Sequence, residues 1–157
     1  MNSPIASRVS GVLFRWLVVL ATIMAFTCAQ AAELKLEVKL VWGANDPKSP
    51  DPKHKPLDAE MAKKLGKVFK WKHYFEVKRQ TEIVPNRGTK VIEVSPKCKL
   101  EITELEGAKV EVKLYGEGKP INRSTKNLSK GEYFILAGDD KNESAWFVIV
   151  TLLEEKR

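Results

Sequence analysis

The chain has 157 residues, with 27 basic and 20 acidic side chains, and 43% of its residues are hydrophobic. This length is enough for one domain with its own hydrophobic core. Two cysteines and two histidines exclude a disulfide-dense scaffold and leave no convincing set of zinc ligands.

The first 31 residues have the features of a secretory signal peptide. Arg8 and Arg15 give a positive flank, residues 16–26 are uncharged and apolar, and the Ala-Gln-Ala of residues 29–31 suits signal peptidase. The apolar segment is shorter than the ~20 residues of a membrane-spanning helix. We expect cleavage after residue 31, with an uncleaved anchor as the alternative, and loss of Cys28, whose context fits a lipoprotein site poorly.

Removal of this leader would leave a mature domain of residues 32–157 in an oxidising compartment. Loss of two arginines takes the net charge from +7 to +5. Cys98 would remain as the single cysteine, so the mature chain could form no internal disulfide. We expect Cys98 to be buried or to pair with another chain, because an exposed lone thiol would be a liability there.

The first predicted strand covers residues 33–42, where apolar and charged side chains alternate. Residues 43–56 contain four prolines and a glycine, which is typical of an irregular loop. A short helix is predicted near 58–68, with Asp58 as its N-cap and Leu57 as a hydrophobic staple. Its apolar stripe would contain Met61, Leu65 and Val68.

The same alternation predicts further short strands after the helix. They cover residues 72–84, 89–94, 97–102, 109–114, 133–137 and 145–153. Residues 119–128 are weakly β at best, whereas 145–150 are apolar throughout, as in a central strand covered on both faces. The pattern predicts a single mainly β domain: an antiparallel β-sandwich, or an open barrel, of seven to eight strands with a loop and helix insertion at 43–70.

Positive charge is concentrated in residues 53–72, which carry seven lysines against Asp58 and Glu60, a net charge of +5. We interpret this segment as a docking surface for an anionic partner: an acidic protein, a lipid head group or a cell-envelope polymer. Its candidate binding residues are Lys53, Lys55, Lys63, Lys64, Lys67, Lys70, Trp71 and Lys72. The alternative is a solvated helix face whose apolar side caps the sandwich.

Other partners and cofactors are not indicated. Arginines are few and do not interleave with aromatic residues, so we expect no nucleic-acid binding. Asp140, Asn142 and Ser144 resemble the start of a calcium loop, but the positions that need Gly and Glu are Ala145 and Thr151, which favours a polar hairpin loop. We therefore expect no metal and no cofactor.

Cys98 is the one candidate nucleophile, with His73 as a possible base. Cys98 shares its strand phase with Leu100 and Ile102, which instead predicts a buried, inert side chain. The other histidine, His54, lies in the proline-rich loop.

Trp42 and Trp146 are in phase with core positions, whereas Trp71 stands among lysines and is the better surface candidate. Asn122, Asn127 and Asn142 each fit the N-glycosylation acceptor pattern, and whether they are modified is left open.

These observations favour an exported, small, non-enzymatic binding or assembly module of the cell envelope, periplasmic or extracellular. Two alternatives stay open: a structural envelope protein that assembles by edge-strand addition, and a small thiol-dependent hydrolase that uses Cys98. The ligand, the strand order and the oligomeric state do not follow from the sequence.

Overall fold

The computed structural model describes residues 33–140 and 143–156 of the chain. The expected signal peptide, Cys28 and Asn142 lie outside these described residues. Within them, no helix is long and apolar enough to cross a membrane.

The described residues form nine strands and one short helix. The strands are β1 (Glu33–Ala44), β2 (Lys55–Pro56), β3 (His73–Val84), β4 (Thr89–Ser95), β5 (Cys98–Glu106), β6 (Lys109–Gly116), β7 (Lys119–Asn127), β8 (Tyr133–Asp140) and β9 (Ser144–Lys156). The helix is α1 (Ala59–Gly66).

All strand pairs are antiparallel, in a five-stranded sheet of order β2-β3-β1-β9-β8 and a four-stranded sheet of order β4-β5-β6-β7. The predicted mainly β, antiparallel sandwich is therefore confirmed. The nine strands exceed the expected seven to eight, because the two-residue β2 was not predicted and β7 was expected to be weakly β at best. The expectation for residues 119–128 was too weak: β7, although nearly all polar and exposed, pairs with β6 along its length, with one register shift between Leu114 and Tyr115.

The main core lies between the two sheets. Each strand that crosses it contributes alternate apolar residues, as the sequence pattern predicted. Its fully buried members include Leu34, Leu36, Val84, Leu100, Ile102, Val110, Val112, Leu114, Val148 and Val150. Cys98 lies in this core, as its phase with Leu100 and Ile102 predicted.

A second core covers the outer face of the five-stranded sheet. Val41 follows the inward-facing Leu40, so the alternation of β1 directs it outward, where it joins Phe147 and Ile149 of β9. Leu57, Leu65 and Trp71 of the insertion close over this group. Strand β9 is thus buried on both faces, which confirms the expectation for residues 145–150.

Helix α1 begins as the sequence predicted, because the Asp58 carboxylate accepts a hydrogen bond of 2.9 Å from the amide of Met61. It ends at Gly66, earlier than expected. The predicted apolar stripe holds for Leu65, which is buried, and fails for Val68, which is 74% exposed. Val68 follows the end of the helix and so lies off the face that contacts the sheet.

Candidate binding surface and end cleft

The insertion is fastened to the sheet by side chains beneath it. Leu57, Leu65 and Trp71 are at least nine-tenths buried in the second core. The Lys39 ammonium, itself buried, lies 3.0 Å from Glu37 and 3.9 Å from the N-cap Asp58. This packing of the apolar side against the sheet fixes the position of the segment, and its lysines lie on the opposite, exposed side.

The seven lysines of the segment are all exposed. We call them the basic surface: Lys53, Lys55, Lys63, Lys64, Lys67, Lys70 and Lys72. Among the described residues, Glu60 is the one acidic side chain that pairs with any of them, at 2.8 Å from Lys64, and this bond raises the pKa of Lys64. The other six have no acidic partner in the described part of the chain, so their charge faces solvent.

Trp71, expected on this surface, is 7% exposed, and that expectation was wrong. Its ring belongs to the second core, close enough to Gly43 that a Cβ there would lie 3.1 Å from the indole. The Lys70 ammonium lies 4.6 Å from the ring centroid, a cation–π distance. Trp71 therefore supports the basic surface from below and offers no free indole to a partner.

A cleft of about 660 Å³ opens at one end of the sandwich, between the two sheets. We call it the end cleft. Its lining includes Leu40, Trp42, Pro50, His54, Val77, Ser95, Lys97, Cys98, Glu117, Ile121 and Trp146. These residues come from six strands and three connecting segments, so no linear motif marks the cleft. Sequence reasoning missed it for this reason.

Trp42 and Trp146 are directly opposite each other on β1 and β9. Trp146 packs against the main core, as its phase predicted, and Trp42 lines the cleft beside Leu40. Both side chains are only half-buried. They form part of the cleft wall.

Two glycines make room for the bulky side chains of this wall. A Cβ at Gly138 would lie 2.3 Å from the Trp146 indole, and a Cβ at Gly116 would lie 2.3 Å from the end of Ile121. Both approaches are closer than non-bonded atoms allow. The indole of Trp146 and the side chain of Ile121 therefore lie against bare backbone.

Polar groups stand at the mouth of the cleft. The Ser49 hydroxyl and His54 Nδ1 are hydrogen-bonded at 2.6 Å. Lys97 and Glu117 form an ion pair of 3.7 Å between side chains that are 80% and 75% exposed. Ser95 also lines the cleft, and most of the other lining side chains are apolar.

Cys98 lies at the base of the cleft, where burial raises the pKa of its thiol to about 11. The thiol is therefore protonated at neutral pH and a poor nucleophile. His73 starts β3 in the other sheet, and within the described residues no hydrogen bond joins the two. The structure does not assemble the pair that a thiol mechanism needs.

The remaining candidates lie apart from both features. Asn122 and Asn127 are exposed on β7, so their side chains are accessible to modification. Ser144 is buried at the start of β9 and pairs in register with Asp140, as in a hairpin. No cluster of three or more metal-ligating side chains occurs among the described residues.

The fold and these features define an antiparallel β-sandwich with a helix-bearing basic insertion on one face and a cleft at one end. Comparison with protein-family models, with curated proteins and with solved structures finds no match to this chain.

Proposed function

We propose that the protein is an exported binding module whose basic surface docks an anionic partner of the cell envelope. The observation that carries this proposal is the exposure of seven lysines on one insertion, six of which have no acidic partner among the described residues. Clustered charge of one sign raises the local concentration of an oppositely charged partner and speeds association.

The packing beneath the segment supports a docking role. A charged segment on a mobile loop would lose conformational entropy on binding. In contrast, α1 is held against the sheet by Leu65, which joins the second core, and by its capping residue Asp58, which lies 3.9 Å from Lys39 of β1. Lys63 and Lys64 are therefore presented by a preorganised helix. The outer strand faces elsewhere differ, because their charges pair across strands, as in Lys113–Glu101 and Arg123–Glu111.

Charge reversal with a matched control tests the proposal. Lys63, Lys67 and Lys72 become Glu in one variant; the control reverses Lys119, Lys126 and Lys130, which are exposed around β7 on the other sheet. Both variants change the net charge equally. The probes are heparin and vesicles of phosphatidylglycerol with phosphatidylcholine.

We expect the first variant to lose binding to at least one probe and the control to retain it, with binding weakened by salt. Equal loss of binding in both variants would mean that the net charge of the protein, and not the basic surface, determines binding. Unchanged binding by the first variant would refute the basic surface as the docking site.

Export is the second component of the proposal and rests on the residues of the leader. The mature protein isolated from the producing cell should begin at Ala32. A chain that still carries Met1 would contradict it.

A second candidate function, assembly by edge-strand addition, is favoured by the character of β8. Among the described strands β8 pairs with β9 alone, and residues 133–138 contain no charge and no proline. The edge strands β4 and β7 carry charges, and β7 contains Pro120, features that discourage edge pairing.

Ala137→Lys, on the exposed part of β8, should abolish any concentration-dependent association in size-exclusion chromatography. Val91→Lys on β4 is the control.

A further inference from the structure

We infer that the end cleft is a binding site for a small uncharged ligand that contains an aromatic ring. This site is separate from the basic surface and does not depend on its proposed role. Three observations carry the inference: the volume and lining of the cleft, the two half-buried indoles, and the distribution of charge.

The volume is in the range of small-molecule sites. Ligand pockets span about 300–1,000 Å³ and are lined mainly by apolar and aromatic side chains with a few polar groups. The end cleft has about 660 Å³ and a lining that includes Leu40, Val77, Cys98 and Ile121. When an apolar ligand displaces water from these side chains, the free energy decreases, which favours binding.

The indoles indicate the shape of the ligand. Trp42 and Trp146 are neighbours across β1 and β9, and both are only half-buried in the lining of the cleft. The absence of a side chain at Gly138 lets the Trp146 indole lie against the sheet. Aromatic rings prefer offset-stacked or edge-to-face partners, which a flat ring would supply in the space between the sheets.

The charges indicate that the ligand is neutral. The cleft contains one lysine and one glutamate, Lys97 and Glu117, which pair with each other at the rim. A charged group carried past them would meet apolar side chains and the protonated thiol of Cys98, at a high desolvation cost. The hydrogen-bonded Ser49 and His54 at the mouth can orient one polar substituent.

The probe for the test is N-phenyl-1-naphthylamine, a neutral aromatic fluorophore, titrated into the full-length protein. Ile121→Arg places a charge in the cleft, and Val91→Arg is its control. The two residues are 47% and 50% exposed and lie on the two edge strands of the same sheet, but Val91 is outside the cleft. We expect saturable binding by the wild type, weakened at least ~10-fold by Ile121→Arg and unchanged by Val91→Arg.

Two further arms complete the test. Ile121→Asn removes apolar surface without adding charge and should also weaken binding, which covers a failure of the arginine variant to fold. Competition by naphthol and by decanol tests whether the site prefers an aromatic ring to an alkyl chain, because the two compounds have the same number of carbons and one hydroxyl each. Naphthol should displace the probe more effectively. Equal displacement by decanol, non-saturable binding, or equal effects of the variants at 121 and 91 would overturn the inference.

Discussion

The ammonium of Lys39 lies 3.9 Å from the carboxylate of Asp58, which at the same time accepts the amide hydrogen bond of Met61 that starts α1. A buried cation of β1 thus contacts the N-cap of the inserted helix. The contact joins the sheet to the element that carries the basic surface.

Asp58→Ala should therefore destabilise the protein by ~1 kcal/mol, the typical cost of losing an N-cap. Urea unfolding followed by circular dichroism measures it. Asp58→Asn is the informative control, since it keeps the capping oxygen and removes the charge beside Lys39. We expect Asp58→Asn to lose less stability than Asp58→Ala, and equal losses would mean that the ion pair, not the cap, is what matters.

The second core should depend on Leu65. Leu65→Ala removes a fully buried side chain from beneath α1 and should cost ~2–5 kcal/mol. Val68→Ala, three residues later, removes a side chain that is 74% exposed and should change stability by less than ~0.5 kcal/mol. Chemical denaturation of both variants measures the difference. Similar losses would contradict the packing of the insertion against β9.

Two glycines should respond to alanine in opposite directions. A Cβ at Gly43 would lie 2.8 Å from the Phe147 ring, so Gly43→Ala should cost ~1–3 kcal/mol through overpacking. A Cβ at Gly66 meets nothing within 4 Å, so Gly66→Ala should stabilise the last turn of α1 by up to ~1 kcal/mol. Thermal unfolding of the two variants gives the sign of each effect, and a stabilising Gly43→Ala would be inconsistent with the close contact.

The Cys98 thiol should make stability depend on alkaline pH. Burial raises its pKa from 9.0 to about 11, so above pH 9 the unfolded thiol ionises while the folded thiol stays protonated. Stability gained from this group is present below pH 9 and decreases as the pH rises to about 11. Burial also raises the pKa of Tyr74, which acts in the same direction.

The comparison is between the wild type and Cys98→Ala, whose stability should decrease less steeply over that window. Thiol labelling at neutral pH should be slow in the folded protein and fast after unfolding. Rapid labelling of the native state would show that Cys98 is accessible and reactive.

Local sequence pattern was sufficient for most of the fold. Alternation at Leu34, Leu36 and Val38 gave the first strand, and the uniformly apolar residues 145–150 indicated a strand with two covered faces. The charge of the basic surface was visible in the same way, because lysines on a short amphipathic segment must face water. The positions of these features follow from side-chain periodicity, a local property of the chain.

The site could be predicted only in part. Trp71 stands between two lysines in the sequence but is buried, because the insertion folds back over the outer face of the five-stranded sheet. Strand β7 lacks an apolar face and forms because β6 offers it a partner. Both outcomes depend on segments distant in the chain.

What the sequence by itself determined is the β character of the domain, the start of α1 at Asp58, the burial of Cys98 and the clustering of positive charge. The tertiary structure alone decided that nine strands divide into sheets of five and four, that Trp71 lies beneath the lysines and that Trp42 and Trp146 line a cleft. Alternation shows that a strand has two unlike faces, but which surface covers each face depends on contacts between residues far apart in the chain.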